Sequence, residues 1–226
     1  MYSLSKIKKE LIKSTEQNLD KEFVAAACLI NEEGVAQHVG LVIHSKEGYF
    51  LFHYTGEEVL FEDGKVEEWY FHKSIEFIYP EFCGTFLGHC KKIAQNANPK
   101  YGYFYNGSFY DSNGIYYSEN QIPEFMTCVG FCINVIKGFI EADEYFEYND
   151  WTSQTVSQHY LDSNVIRIQR IAPHVTKSLI CENSRRIMPS EFIAAAFIKK
   201  IPIRKSDIDL IINDLEKVIY DKKVIA

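Results

Sequence analysis

The chain reads as an α+β fold, an antiparallel sheet with helices packed against it, on three observations from its 226 residues. Residues 23 to 71 hold successive short runs of β-branched and aromatic side chains, broken by polar turns such as Asn31–Gly34 and His44–Glu47. Two later segments, 81–98 and 127–143, carry the apolar pattern of helices. No repeat or low-complexity tract interrupts the sequence, and its length suits a single domain, with a core at about 23–140 and a helical extension at about 145–226.

Residues 3 to 20 predict a short surface helix, with Leu4, Ile7, Leu11 and Ile12 as a narrow apolar stripe and Lys8 and Lys9 on the wet side. "FVAAACLI", "VAQHVGLVI" and "GYFLFHYTG" predict three consecutive antiparallel strands. "EEVLFEDGKVEEWYF" continues the series, with Asp63-Gly64 where a tight hairpin turn is expected. Its acidic residues read as a solvated hairpin. "EFCGTFLGHCKKIAQNAN" predicts a helix ending before Pro99, and "KYGYFYNGSFYDSNG" an aromatic strand entering a turn-rich loop. "TCVGFCINVIKGFIEAD" predicts a strongly apolar helix and "NVIRIQRI" a strand. Helices follow near 190–200 and 206–219, with Ser190 and Ser206 placed to cap them.

Composition narrows the function classes. With 15 Tyr and 16 Phe against 12 Gly and 6 Pro, the chain has the make-up of a packed globular protein, not a disordered one. A net charge of −7 without a basic run argues against unspecific binding to nucleic acid or anionic membrane. No apolar stretch approaches the ~20 residues of a membrane span, and the N-terminus has no signal-peptide pattern. The 6 cysteines are scattered, which points to a reducing cytosol and to thiols that are reactive or inert, not bridged. A chain exported by an unrecognised route would carry the same pattern.

The stretch "QHVGLVIHSKEGYFLFHYTG", residues 37–56, holds three histidines. If Ile43 pairs with Gly48, His38 and His53 become direct cross-strand neighbours, with Cβ atoms roughly 5 Å apart. Two imidazoles that close share a hydrogen bond, one fixing the tautomer of the other, which is the base-plus-orienter half of a catalytic triad. A one-residue slip would separate them onto opposite faces. The bland alternative is a pair of structural histidines. His44 lies ~20 Å further along the strand and belongs elsewhere.

Thr127 is placed to cap the helix that follows, which puts Cys128 in its first turn. Unpaired N–H groups and the helix dipole favour a thiolate there, and the same N–H groups suit an oxyanion. Cys132, Cys28 and Cys181 read as inert packing residues. Cys83, His89, Cys90, Cys128 and Cys132 make a weaker metal reading. No CxxC pair occurs and His89 and Cys90 diverge on a helix, so no metal or cofactor is expected.

"HVGLVI" and "GYFLFHYTG", with "TCVGFCINVI" far downstream, resemble the circularly permuted branch of the NlpC-type papain-like superfamily. That branch includes the lecithin:retinol acyltransferase-like proteins and the bacterial YaeF/YiiX-like group. The resemblance covers roughly residues 23 to 140 and implies a permuted papain-like fold with the nucleophile at a helix N-terminus. It implies His38 as base, His53 as the residue orienting it and Cys128 as nucleophile. It also places a tyrosine near the thiolate, best matched by Tyr101, with Tyr103 and Tyr105 sharing its parity. Thr and Val flank Cys128 where better-known subgroups have other residues, and His53 stands where the YaeF/YiiX-like group tends to have a carboxylate.

The expected activity is that of a cysteine peptidase or amidase, acting on a small peptide or acyl-amide through a thioester. A thiol-dependent acyltransferase on lipid or amine acceptors and a catalytically silent binding module remain alternatives.

Overall fold

The computed structural model describes residues 3–16, 20–64, 70–119, 122–140, 144–152 and 156–224. Its strands are β1 (Ile12–Lys13), β2 (Phe23–Ile30), β3 (Ala36–Ser45), β4 (Gly48–Tyr54), β5 (Val59–Asp63), β6 (Tyr70–Ser74), β7 (Lys100–Tyr101), β8 (Phe109–Tyr110), β9 (Tyr116–Tyr117) and β10 (Phe125–Met126). Its α-helices are α1 (Leu4–Glu10), α2 (Cys83–Asn96), α3 (Cys128–Ile140), α4 (Gln158–Ile171), α5 (Lys177–Asn183), α6 (Pro189–Ala195), α7 (Lys205–Asp209) and α8 (Ile212–Val224). The architecture is α+β. Among the described residues no helix is long and apolar enough to cross a membrane.

Six strands form one antiparallel sheet in the order β1-β6-β2-β3-β4-β5. The expected run of neighbouring strands holds from β2 to β5 and then breaks. Asp63-Gly64 ends β5 with Gly64 at φ 106°, but the next strand, β6, pairs with β2 on the far side. Burial explains the order. Phe71, His72 and Lys73 of β6 are covered on both faces, whereas β5 is half-exposed over Val59 to Phe61 and exposed at the charged Glu62 and Asp63, as an edge strand should be. Residues 65–69 of the expected hairpin lie outside the described residues.

The inner face of the sheet carries Cys28, Val39, Leu41, Phe52 and Phe71, packed against α2, α3 and α6. Phe131 of α3 meets Phe52 edge-on with centroids 5.1 Å apart. The outer face is smaller, with Ala25, Ala27, Val42 and Leu51 at its centre. Within the C-terminal third, α6 joins the same inner core through Phe192 and Ile193 beneath β2 and β3, whereas Val165, Ile168 and Ile180 of α4 and α5 form a separate cluster with Phe104 and Phe125. Gly138 lets α3 lie against β8, since a Cβ there would fall 1.7 Å from the Tyr110 carbonyl oxygen.

Three expectations fail for local reasons. The N-terminal helix stops at Glu10 and gives way to β1. "NVIRIQRI" lies in α4: Asn164, Val165 and Ile168 are buried at helical spacing, while Ile166 points to solvent, so the alternation was misleading. Ser190 and Ser206 do not cap. Each sits one residue inside its helix, after Met188-Pro189 and Arg204-Lys205, and the last helical stretch is broken into α7 and α8.

Candidate active site

The hairpin of β3 and β4 sets the histidines. Its rungs run from Ser45↔Gly48 to Leu41↔Phe52, two residues out of the expected register. A shift of two preserves side-chain parity, so His38 and His53 keep a common face but become diagonal neighbours. Position 40 lies opposite His53, and a Cβ there would sit 2.9 Å from the His53 Cβ. Gly40 therefore leaves room for the diagonal. His38 Nε2 and His53 Nδ1 are 2.8 Å apart, with the rings edge-on at 72°.

A third member extends the chain. His53 Nε2 lies 3.1 Å from Glu62 Oε2, again a diagonal contact, because the direct partner of His53 on β5 is Leu60. The order of donors follows from the carboxylate, which only accepts. Glu62 accepts the hydrogen bond donated by His53 Nε2–H, so the neutral ring's Nδ1 is an acceptor, and His38 Nε2 must donate to it. We accordingly assign His38 the tautomer with its lone pair on Nδ1. Burial and the neighbouring His53 lower the His38 pKa to about 4. Burial also lowers that of His53, opposed by the attraction of Glu62. Glu62 has 56% of its side chain exposed, so its pull is screened and both rings are neutral near pH 7.

Cys128 opens α3. Thr127 caps the helix, its Oγ1 accepting from the Gly130 N–H at 3.2 Å, and the buried Tyr105 hydroxyl lies 3.1 Å from the same oxygen. The start of α3 is fixed upstream by β10, which pairs in parallel with β7 so that Met126 lies beside Tyr101. The expectation of a favoured thiolate is corrected. Burial pushes the Cys128 thiol up, and the backbone N–H groups of Val39, Val129 and Cys128 itself only partly offset it. The resting pair is a thiol and a neutral imidazole.

Cys128 and His38 line one cavity of about 230 Å³. No hydrogen bond joins them among the described residues, and His38 Nδ1 is likewise without a hydrogen-bond partner there. Of the three candidate tyrosines, Tyr101 and Tyr103 reach this cavity, their hydroxyls 2.9 Å apart. Tyr105 is buried behind the wall. The misread segment 164–171 has a part in this. Asn164 Oδ1 accepts from the Tyr103 N–H and its Nδ2 donates to the Tyr103 carbonyl, both at 3.0 Å. Arg186 to Pro189 close another side.

The remaining candidates lie elsewhere. His44 Nδ1 bonds the Lys21 carbonyl at 2.8 Å, and Cys28 and Cys132 are fully buried. Among the described residues no three His, Cys, Asp or Glu side chains cluster as a metal site would require. A second, larger cavity of about 810 Å³ lies behind Tyr105, lined in part by Lys137, Glu144 and Arg185. Sequence reasoning missed Glu62, which shares strand parity with Leu60 opposite His53; that parity was the available signal. It also missed the wall at Arg186, for which no motif exists.

Comparison with protein-family models, with curated proteins and with solved structures finds no match for this chain.

Proposed function

We propose that the chain is a cysteine peptidase or amidase with a permuted papain-like arrangement, cleaving a small peptide or acyl-amide. The observation that carries this reading is the Glu62–His53–His38 chain, whose tautomers leave a lone pair on a histidine that shares a cavity with Cys128.

In the reaction, His38 Nδ1 takes the Sγ proton as sulfur attacks the carbonyl carbon, so that thiolate and imidazolium arise only with substrate present. On this reading the backbone N–H groups at the start of α3 hold the oxyanion. The imidazolium returns its proton to the leaving nitrogen, the C–N bond breaks and a thioester remains. Water then attacks with His38 again as base, the C–S bond breaks, and the acid product leaves with the thiol restored. His53 and Glu62 orient His38 and disperse the charge it acquires. The cavity volume, below the ~300–1,000 Å³ of sites for drug-sized ligands, supports a small acyl group over a long lipid chain.

Acylation by p-nitrophenyl acetate, followed by intact mass and peptide mapping, tests the reading. A single acetyl thioester at Cys128, absent in Cys128→Ala and much slower in His38→Ala, is expected. Acetylation of Cys128 at an equal rate in His38→Ala would overturn it.

A further inference from the structure

One face of α4 grips the cavity wall formed by Tyr101 and Tyr103. Tyr160, Asn164 and Arg167 are spaced by a helical turn each, so they share one side of the helix, and all three meet this wall. The Tyr160 and Tyr103 rings lie edge-on with centroids 6.1 Å apart. Arg167 lies 5.0 Å from the Tyr101 ring centroid and donates to the Tyr101 carbonyl at 3.3 Å. Asn164 makes the closest contact. Tyr103 lies beyond the pairing of β7 with β10, and the Asn164 amide takes the place of a neighbouring strand by bonding both its N–H and its carbonyl at 3.0 Å. The amide is itself fixed: it is 3% exposed, and Nδ2 also donates to Ser184 Oγ at 2.8 Å, which donates to the Ile180 carbonyl at 2.7 Å. Gly102 admits this approach, since a Cβ there would fall 3.2 Å from Asn164 Oδ1. The effect reaches the cavity. The Tyr101 and Tyr103 hydroxyls share one hydrogen bond, which uses one of their two protons and leaves the other for a bound molecule. Burial, and then the bond to Tyr103, pushes the Tyr101 hydroxyl pKa up, so its proton is retained.

We infer that Asn164 is a positioning residue for the acylation of Cys128: by holding the Tyr103 backbone it sets the Tyr101–Tyr103 hydroxyl pair against the bound acyl donor, and Arg167 supports Tyr101 to the same end. This rests on the catalytic reading of Cys128. It extends the site to α4, far along the chain from the segments that supply the thiol and the histidines.

Acetylation of Cys128 by p-nitrophenyl acetate and its alkylation by iodoacetamide, both followed by peptide mass, test this in two backgrounds, wild type and Tyr101→Phe/Tyr103→Phe. Alkylation needs the thiol and its base but no contact with a carbonyl, so it reports whether the rest of the site is intact. In the wild-type background Asn164→Ala is expected to slow acetylation about ten-fold, as small misplacements of a contact do. Arg167→Met, at an exposed position, should slow it about three-fold. Alkylation should stay within about two-fold in both variants. Both losses should vanish in the doubly substituted background, because the hydroxyls through which they act are gone. Equal losses in the two backgrounds, acetylation unchanged in both variants, or alkylation that falls in step with acetylation overturns the inference. Arg167→Met answers the same questions should Asn164→Ala fail to fold. Acetylation of Cys128 as fast in His38→Ala as in wild type removes the catalytic reading and the inference with it. Acetylation that depends on His38 but loses equally in the two backgrounds removes the inference alone.

Discussion

The larger cavity holds more charge than the smaller one, and nearly all of it is engaged in the fold. Asp111, Glu119, Glu144 and Glu147 line it together with Lys137 and Arg185. Lys137 Nζ donates to the Gly107 carbonyl at 2.6 Å and to Glu144 at 3.0 Å, while Arg185 Nε donates to the Tyr148 carbonyl at 2.9 Å. These contacts pin loop backbone, which would otherwise lose hydrogen bonds on burial. Around Cys128 the polar groups are fewer, but one imidazole has its inner nitrogen committed to a carboxylate-ended chain and its other nitrogen left over. Volume favours the first cavity as a binding site; the state of the polar groups favours the second as a reactive one.

The strongest way to break this contrast is to exchange one residue in each cavity. Cys128→Ala should abolish turnover of an activated ester, a loss of at least ~1,000-fold, as removal of a nucleophile does. Glu119→Gln in the larger cavity should leave the rate within about two-fold, since the residue touches neither thiol nor imidazole. A comparable loss in both would make the distinction meaningless. Next in size is Glu62→Ala, expected to lower kcat about 10–100-fold with KM unchanged, a share of what general-base catalysis supplies. Glu62→Gln should recover part of it, because an amide oxygen still accepts from His53 Nε2. Equal losses in the two variants would reduce Glu62 to a source of charge without a role in setting tautomers.

Two glycines sharpen the comparison through stability. Gly138→Ala, beside the larger cavity, meets the Tyr110 backbone and should cost more than ~3 kcal/mol in urea unfolding. Gly40→Ala meets the flexible end of Leu51 and the Cβ of His53, and should cost about 1–3 kcal/mol. Only the second should slow the surviving folded fraction, by displacing His53. The smallest effect concerns pH. His38 and the buried His72 both have pKa values lowered to about 4, from 6.5. The unfolded chain therefore binds more protons between those values, so stability is unaffected above pH 6.5 and falls as pH drops towards 4. Calorimetry should show His72→Phe flattening that slope by roughly 1 kcal/mol per pH unit.

What could be read from the sequence was local. Strand parity placed His38 and His53 on one face and survived a register error of two residues, because the side-chain period is also two. Thr127 before Cys128 was recognisable from capping chemistry, which needs only a hydroxyl and three following residues. The rest depended on who lies next to whom. Glu62 stood in an acidic run where every residue looked equally solvated, and only the β4–β5 diagonal singles it out. Asn164 to Ile171 alternated like a strand, and its helical state rests on burying Val165 and Ile168 and on clamping Tyr103. The separation of β5 from β6 followed from burial on both faces of Phe71 to Lys73, which no local signal displayed.

The walls of the Cys128 cavity come from Gln37 and His38, Thr55 and Gly56, Tyr101 and Tyr103, Thr127 to Val129, and Arg186 to Pro189. Contacts so distant along the chain form late in folding, after the loops between them have closed. A chain growing from the ribosome therefore presents His38 long before Cys128, and both before Arg186 to Pro189, which complete the cavity. On the proposed reading, reactivity of Cys128 requires the complete cavity and is thereby tied to the end of folding.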